Sequence, residues 1–293
     1  MRQIFPAEAS GREIGPADRD QVTPAVLDAL AGLYAYPAQA ATRPWVRANM
    51  VSSADGAAWV KGRAAGLSGP ADRTVFAVLR SLADVILVGA GTARTERYRP
   101  VRDAEVWPAL RAGRPPTPPI AVVSRALDLD LQSPLLAGSP GQARTIVLTT
   151  QAAPADVRAS AARTADVIVV GSGAGSGAGS GAVVTAAEAV GALAARGLTR
   201  ILVEGGPHLL AQITAEELLD ELCLTYSPLL AGGDAGRILA VPPDSAAARQ
   251  GAPGSAQDAS TPLVLGHVLE DDGHLLCRYL SQKGSADAAA QPG

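Results

Sequence analysis

Residues 201–208 constrain both the fold of this chain and the place where it could hold a ligand. They run Ile-Leu-Val-Glu-Gly-Gly-Pro-His, which predicts a short buried strand, a glycine turn and the first turn of a helix. Glycines let the backbone approach a ligand closely, and the free N–H groups of a helix start favour an anion such as phosphate. Glu204 would lie beside that anion, although an ordinary strand-to-helix turn with a solvated glutamate explains the same residues.

Short apolar runs like this one recur along the chain and indicate the fold class. Strands are predicted over residues 45–51, 85–88, 120–123, 145–149, 167–170, 201–203 and 221–226. Predicted helices lie between several of them, which indicates an α/β fold with a mostly parallel central sheet flanked by helices. Residues 263–268 and 274–280 predict a C-terminal antiparallel hairpin.

The sequence also predicts how the chain is divided. Residues 43–281 are expected to form the main domain, preceded by an N-terminal extension, residues 1–42, with a short helix. Within the domain, residues 171–182 are rich in Gly and Ser and predict a flexible loop, and residues 242–261 predict an exposed loop. Residues 282–293 are expected to be a disordered tail.

Composition excludes several classes of function. The net charge of −3 offers no basic field for nucleic acid or a membrane surface, and no apolar run approaches the length of a membrane span. Cys223 and Cys277 are isolated and the three histidines are scattered, which predicts no metal site, no disulfide and a cytoplasmic protein. Only two of the 25 Lys and Arg residues are lysines, a bias typical of a GC-rich bacterium.

Candidate chemistry follows three other predicted strands. Gly89-Ala-Gly-Thr92 lacks the third glycine of a dinucleotide fingerprint, because residue 94 is arginine. Asp55 and the pair Ser124-Arg125 lie in turns from which they could reach a ligand. Four arginines follow within a few residues: Arg94, Arg97, Arg99 and Arg102. Their guanidinium groups could bind a phosphorylated ligand, or they could belong to a solvated basic loop without a ligand. Because no nucleophile or metal motif occurs, the chemistry would rest on a bound cofactor and carboxylates.

Several segments, taken in their order and spacing, resemble one known family. They are Ser53-Ala-Asp-Gly56, Leu79-Arg80 before residues 83–92, Val203-Glu-Gly-Gly-Pro207, Asp220-Glu-Leu222 and Ser227-Pro-Leu-Leu-Ala-Gly232. Residues 43–280 thereby resemble the pyrimidine reductase of riboflavin biosynthesis, the reductase half of a bifunctional deaminase–reductase. The resemblance implies a dihydrofolate-reductase-like fold, NADPH as hydride donor and a homodimer. It also implies reduction of 5-amino-6-(5-phosphoribosylamino)uracil, whose sugar opens to an imine and accepts hydride at C1′.

The resemblance assigns roles to the matching residues. Those on the cofactor side are Gly89, Gly91, Thr92, Glu96, Ser124, Arg125, Gly205, Gly206 and Pro207. Those on the substrate side are Arg80, Arg99, Arg102 and Glu204. Asp55 and Glu204 are the implied catalytic residues, and we expect one of them to relay a proton through water with a pKa raised by burial.

Two departures from the family pattern leave alternatives open. No deaminase motif occurs, so another protein would have to carry out deamination. Residues 95–100, Thr-Glu-Arg-Tyr-Arg-Pro, lack the family's leucine and move its proline, where substrate contacts are implied. One alternative is therefore a reductase of the same fold that acts on a pterin, a dihydrofolate-like compound or another imine. A non-catalytic nucleotide-binding regulatory protein is another.

Overall fold

A computed structural model describes residues 1–138, 143–170, 183–240 and 260–289, which are built around an eleven-stranded sheet. The strands are β1 (Arg2–Phe5), β2 (Arg12–Glu13), β3 (Trp45–Ser53), β4 (Val85–Gly89), β5 (Ile120–Val123), β6 (Ile146–Thr149), β7 (Asp166–Val169), β8 (Arg200–Val203), β9 (Glu221–Ser227), β10 (Leu263–Asp271) and β11 (His274–Ser281). The helices of these residues are α1 (Pro24–Leu33), α2 (Pro70–Leu82), α3 (Ala90–Thr95), α4 (Pro134–Ala137), α5 (Ala155–Ala161), α6 (Ala186–Ala194), α7 (Pro207–Ala215) and α8 (Gln282–Ala289).

The sheet has a parallel part and an antiparallel part. Its strand order is β2-β1-β10-β11-β9-β3-β8-β4-β5-β6-β7. The neighbouring strands in the segment β9-β3-β8-β4-β5-β6-β7 of this order are all parallel. The neighbouring strands in the segment β2-β1-β10-β11-β9 are all antiparallel. The strands β10 and β11 form the C-terminal hairpin. The expected fold class, α/β with a mostly parallel central sheet flanked by helices and a closing hairpin, is confirmed.

The parallel strands are buried between two layers of helices. On β4, Ile86 and Val88 face a core that includes α1 and α2, while Val85 and Leu87 face a core that includes α6 and α7. All four side chains are fully buried, because a parallel strand covered on both faces has no solvent side. The carboxyl ends of β4 and its neighbours are then the expected place for a ligand.

A buried charge cluster joins three strands across the boundary between the two parts. The Glu221 carboxylate of β9 accepts from Arg47 Nη2 of β3 at 3.0 Å and from Arg278 Nε of β11 at 2.8 Å. Trp45 Nε1 donates to it at 3.1 Å. Burial raises the pKa of Glu221, but the two guanidinium charges outweigh burial and lower that pKa to about 2. These charge-assisted bonds fix the register of β9 between β3 and β11.

Both ends of the chain differ from the sequence expectation. In the N-terminal extension, β1 pairs antiparallel with β10, and β2 pairs with β1. In the expected tail, residues Gln282–Ala289 form α8, which continues directly from β11, and the Gly284 N–H donates to Ser281 Oγ at 3.0 Å. The 171–182 loop and residues 242–259 of the second loop lie outside the described residues, so the division into domains stays a prediction. Among the helices that are described, none is long and apolar enough to cross a membrane.

Candidate active site

A cavity of about 1010 Å³ lies at the carboxyl ends of β3, β4 and β8. Its walls include these strand ends, one face of α2, the starts of α3 and α7, and part of residues 95–105. This is the edge at which parallel strands of an α/β sheet bind ligands. The cavity is therefore the candidate active site.

Two glycine turns form one wall of the cavity. The β4–α3 and β8–α7 turns lie side by side, because the Gly89 N–H donates to the Gly205 carbonyl at 3.0 Å. Gly205 has a φ of +86°, which favours glycine. A Cβ on Gly206 would lie 2.3 Å from Thr92 Oγ1, so the turns leave no room for a side chain between them. The start of α7 lines the cavity here, where helix N–H groups favour an anion.

Glu204, which directly follows β8, accepts three hydrogen bonds. Its carboxylate accepts from Arg80 Nε at 2.8 Å, from Arg80 Nη2 at 2.7 Å and from the Tyr98 hydroxyl at 2.7 Å. Burial lowers the pKa of Arg80, but the charge of Glu204 outweighs burial and raises that pKa above its ordinary value. Burial, followed by the Glu204 charge, raises the pKa of Tyr98 well above its usual range. Both partners of Glu204 are thus held in their protonated forms.

An arginine cluster, composed of Arg80, Arg99 and Arg102, surrounds one carboxylate beside Glu204. Arg99 and Arg102 pair with Glu105 at 3.0 and 2.8 Å, and Arg80 lies 3.5 Å from the same side chain. Burial raises the pKa of Glu105, but hydrogen bonds from Arg99 and Arg102 bring it below its ordinary value. The three guanidinium groups face two carboxylates, Glu105 and Glu204, so the cluster keeps an excess of one positive charge, which suits a phosphate.

Helix α2 brings another carboxylate to the cavity. Asp72 is 8% exposed and accepts hydrogen bonds from the hydroxyl groups of Ser68 and Thr225. Burial raises the pKa of Asp72 above its ordinary value, against the effect of these hydroxyl groups. The cavity thus combines glycine turns, an arginine cluster and a buried aspartate.

Comparison with known proteins identifies the family to which this chain belongs. Residues 44–251 match the model of the family described as the RibD C-terminal domain. The chain belongs to this family. The RibD C-terminal domain of this chain contains all of β3 to β9 and the cavity at the ends of β3, β4 and β8.

Individual relatives of this RibD C-terminal domain are reductases by name. The 2,5-diamino-6-ribosylamino-4(3H)-pyrimidinone 5′-phosphate reductase of Archaeoglobus fulgidus is 28% identical over 194 residues, which cover 65% of this chain and 83% of the relative. A solved pyrimidine reductase-like protein from Corynebacterium diphtheriae is 26% identical with a TM-score of 0.69, and the match covers 86% of this chain and 98% of that one. The riboflavin biosynthesis reductase Rib7 of Saccharomyces cerevisiae is 15% identical with a TM-score of 0.54, over 82% of this chain and 90% of that one. The fold expected from the family resemblance is confirmed.

The structure brings most of the predicted site residues together. Those that line the cavity are Arg80, Gly89, Gly91, Thr92, Glu96, Arg99, Glu204, Gly205, Gly206 and Pro207. Arg102 lies next to it through Glu105. Ser124 and Arg125 follow β5, the neighbour of β4, and are not among the described residues that line the cavity. The Arg125 carbonyl accepts from the Thr149 hydroxyl at 3.1 Å, so this turn is tied to β6.

Asp55 is the predicted site residue whose surroundings and pKa differ most from the sequence expectation. Its carboxylate accepts from the Ser53 hydroxyl and from the N–H groups of Ala231 and Gly232 at 3.0 and 2.8 Å. These hydrogen bonds, with the Ser53 hydroxyl first, lower the pKa of Asp55 below its ordinary value. The expected rise by burial is therefore wrong for Asp55, because this side chain lies in an exposed turn. It holds the loop after β9, and its catalytic role stays a prediction.

Sequence reasoning missed Tyr98 and Asp72. Tyr98 lies among the arginines of residues 94–102, where an aromatic side chain indicates a partly buried segment rather than a solvated loop. Asp72 is the third residue of α2, a position where an acidic residue is usually explained by the helix dipole alone. Its burial depends on β9, which is distant in sequence, so no local pattern reveals it.

Proposed function

We propose that this chain is an NADPH-dependent reductase that converts a ribosylaminopyrimidine 5′-phosphate to its ribityl form. The observation that carries this proposal is one cavity in which glycine turns at the start of α7 adjoin the arginine cluster. Such a cavity has sites for the phosphates of a dinucleotide and for the phosphate of a sugar. The family and the Archaeoglobus fulgidus relative support a pyrimidine reductase of the riboflavin pathway.

NADPH fits the wall formed by the glycine turns. Side chains are excluded there, as the 2.3 Å approach of a Cβ on Gly206 to Thr92 indicates, so a phosphate can lie close to the backbone at the start of α7. We assign the binding of NADPH to Gly89, Gly91, Thr92, Gly205, Gly206 and Pro207. We assign further cofactor contacts, at a greater distance from the glycine turns, to Glu96, Ser124 and Arg125. Bound NADPH supplies a hydride to C1′ of the open-chain imine, whose nitrogen takes a proton.

The arginine cluster is proposed to bind the substrate phosphate. Glu204 positions Arg80 for this purpose, because it holds two of the guanidinium N–H groups in one orientation. Fixing the sugar in this way brings its C1′ carbon to a defined place, and alignment of donor and acceptor supplies much of the rate of a hydride transfer. Proton relay through Asp55 or Glu204 stays a prediction.

The test follows the loss of NADPH absorbance by the purified chain, with and without a ribosylaminopyrimidine 5′-phosphate, and with NADH in parallel. We expect oxidation that requires the pyrimidine and prefers NADPH. Oxidation with a dihydropterin but not with the pyrimidine would support the alternative substrate. Binding of NADPH without oxidation by any substrate would favour the regulatory alternative.

We also propose that the protein is a homodimer in the bacterial cytoplasm, with no nucleic acid or membrane partner. Exposed leucines after β9 support an association of this kind, since Leu229 is 46% exposed and Leu230 is 83% exposed. Light scattering of the purified chain measures the mass directly, and a monomer at all concentrations would contradict the proposal.

A further inference from the structure

One face of α2 presents three chemically different side chains to the cavity. Asp72, Phe76 and Arg80 are four residues apart and all line it, as a single stripe of a helix does. The helix rises by about 12 Å from Asp72 to Arg80, eight residues at roughly 1.5 Å each. The Arg80 guanidinium lies 4.2 Å from the centroid of the Phe76 ring. The stripe therefore runs from a carboxylate, past an aromatic ring, to the arginine cluster.

The carboxylate of this stripe is buried without a cation in contact. Asp72 accepts from the hydroxyl groups of Ser68 and Thr225, and it makes no ion pair within the part of the chain that the structure describes. His274 and Arg73 influence it through longer-range electrostatics. Burying a carboxylate is costly unless its lone pairs are used, and two hydroxyl groups use only part of them. The remaining lone pairs suit a ligand that carries N–H donors.

The proposed substrate brings its base to this end of the stripe when its phosphate lies at the Arg80 end. The ribosylamino group is attached to C6 of the pyrimidine, so the edge farthest from the sugar is N3 with its neighbours C2 and C4. In a 2-amino-4(3H)-pyrimidinone, this edge offers N3–H and the 2-amino group as two adjacent donors. In a uracil, N3–H lies between two carbonyl oxygens.

On the basis of the proposed function, we propose that Asp72 makes this chain selective for the 2-amino-pyrimidinone over the uracil. A carboxylate pairs through both oxygens with two adjacent donors, in the way that it pairs with the fork of an arginine. With a uracil, one carboxylate oxygen faces a carbonyl oxygen instead. The selectivity corresponds to a preference of roughly 10- to 100-fold in kcat/KM.

The test compares 2,5-diamino-6-ribosylamino-4(3H)-pyrimidinone 5′-phosphate with 5-amino-6-(5-phosphoribosylamino)uracil as substrates. The kcat/KM of each is measured with NADPH for the unaltered chain and for Asp72→Asn. A side-chain amide offers one donor and one acceptor, which match a carbonyl oxygen and N3–H of the uracil. We therefore expect the substitution to lower kcat/KM for the 2-amino substrate and raise it for the uracil, mainly through KM, with NADPH affinity unchanged.

Asp156→Asn is the matched control, because Asp156 lies exposed in the first turn of α5. It should leave the preference unchanged. If a variant is inactive, the dissociation constants of the two pyrimidines, measured without NADPH, report its selectivity instead. If the unaltered chain oxidises NADPH with neither pyrimidine, the proposed function fails and this inference fails with it. If both are reduced equally well, if the uracil is preferred, or if Asp72→Asn leaves the ratio unchanged, only the role of Asp72 is refuted.

Discussion

A methyl group added at Gly206 tests how tightly the two glycine turns fit together. A Cβ there would lie 2.3 Å from Thr92 Oγ1, and the next nearest atom is the Thr92 Cβ at 3.6 Å. The backbone itself tolerates alanine, since the φ of Gly206 is −76°. The close contact of the added methyl group is therefore with one hydroxyl oxygen. We expect Gly206→Ala to lower the free energy of unfolding by about 1–3 kcal/mol, the usual range for overpacking a buried site.

The same geometry predicts that removal of the hydroxyl oxygen relieves the clash. In the Thr92→Ala background, the 3.6 Å approach that remains is an ordinary van der Waals distance, so Gly206→Ala should cost little. Urea unfolding of the four proteins gives the coupling energy, which we expect at about 1–3 kcal/mol. NADPH affinity, measured in parallel, should fall in Gly206→Ala and recover in the double variant to the level of Thr92→Ala alone. Gly191→Ala in α6 is the control, because its Cβ would meet open space. If the stability losses of Gly206→Ala and Thr92→Ala sum to the loss of the double variant within roughly 0.5 kcal/mol, the clash does not exist.

Three further predictions concern substitutions of ionisable side chains. Arg80→Lys loses the double hydrogen bond to Glu204, so we expect a stability loss of about 1–3 kcal/mol and a higher KM for the pyrimidine. Arg99→Lys, at an exposed pair, should cost at most about 1 kcal/mol in urea unfolding. Burial, aided by Arg278, lowers the pKa of His267 to about 3 from 6.5. Between pH 6.5 and 3, the His267 imidazole is therefore protonated in the unfolded chain and neutral in the folded chain. Protonation of the unfolded chain lowers the free energy of unfolding as pH falls from 6.5 towards 3. His267→Phe should flatten this fall between pH 7 and 4.5 by up to about 1.4 kcal/mol per pH unit; an unchanged slope contradicts the assignment.

The elements that the sequence predicts well are those whose cause is local. Continuous apolar residues give β5 its bounds, Ile120–Val123, as expected. The Thr185 and Glu188 side chains form the capping box that begins α6. By contrast, β1 has one buried side chain, the polar Gln3, so no apolar pattern marks it as a strand. Its pairing depends on β10, which local periodicity does not report.

The site shows the same division. Glycine turns and arginines near strand ends are visible in the sequence because backbone geometry and charge restrict the residues that can occur there. The partners of Glu204 are not visible, since Arg80 is 124 residues away and Tyr98 is 106 residues away. The sequence predicts the turn that contains Asp55. It does not predict the pKa of the Asp55 carboxyl, because that pKa depends on hydrogen bonds from the N–H groups of Ala231 and Gly232. Such electrostatic effects follow from tertiary contacts and not from residue type.

The pairing of β1 with β10 has a consequence for the order in which the molecule is completed. Arg2 and Glu270, which pair across these strands, are 268 residues apart in sequence. A ribosome makes the chain from its N-terminus, so β1 emerges long before its partner strand exists. The side chains of Ile4 and Phe5 have no neighbouring β10 until Leu263–Asp271 have been synthesised. The antiparallel end of the sheet therefore closes only after β10 has been made, and chaperones that bind exposed apolar segments have a long opportunity to bind β1.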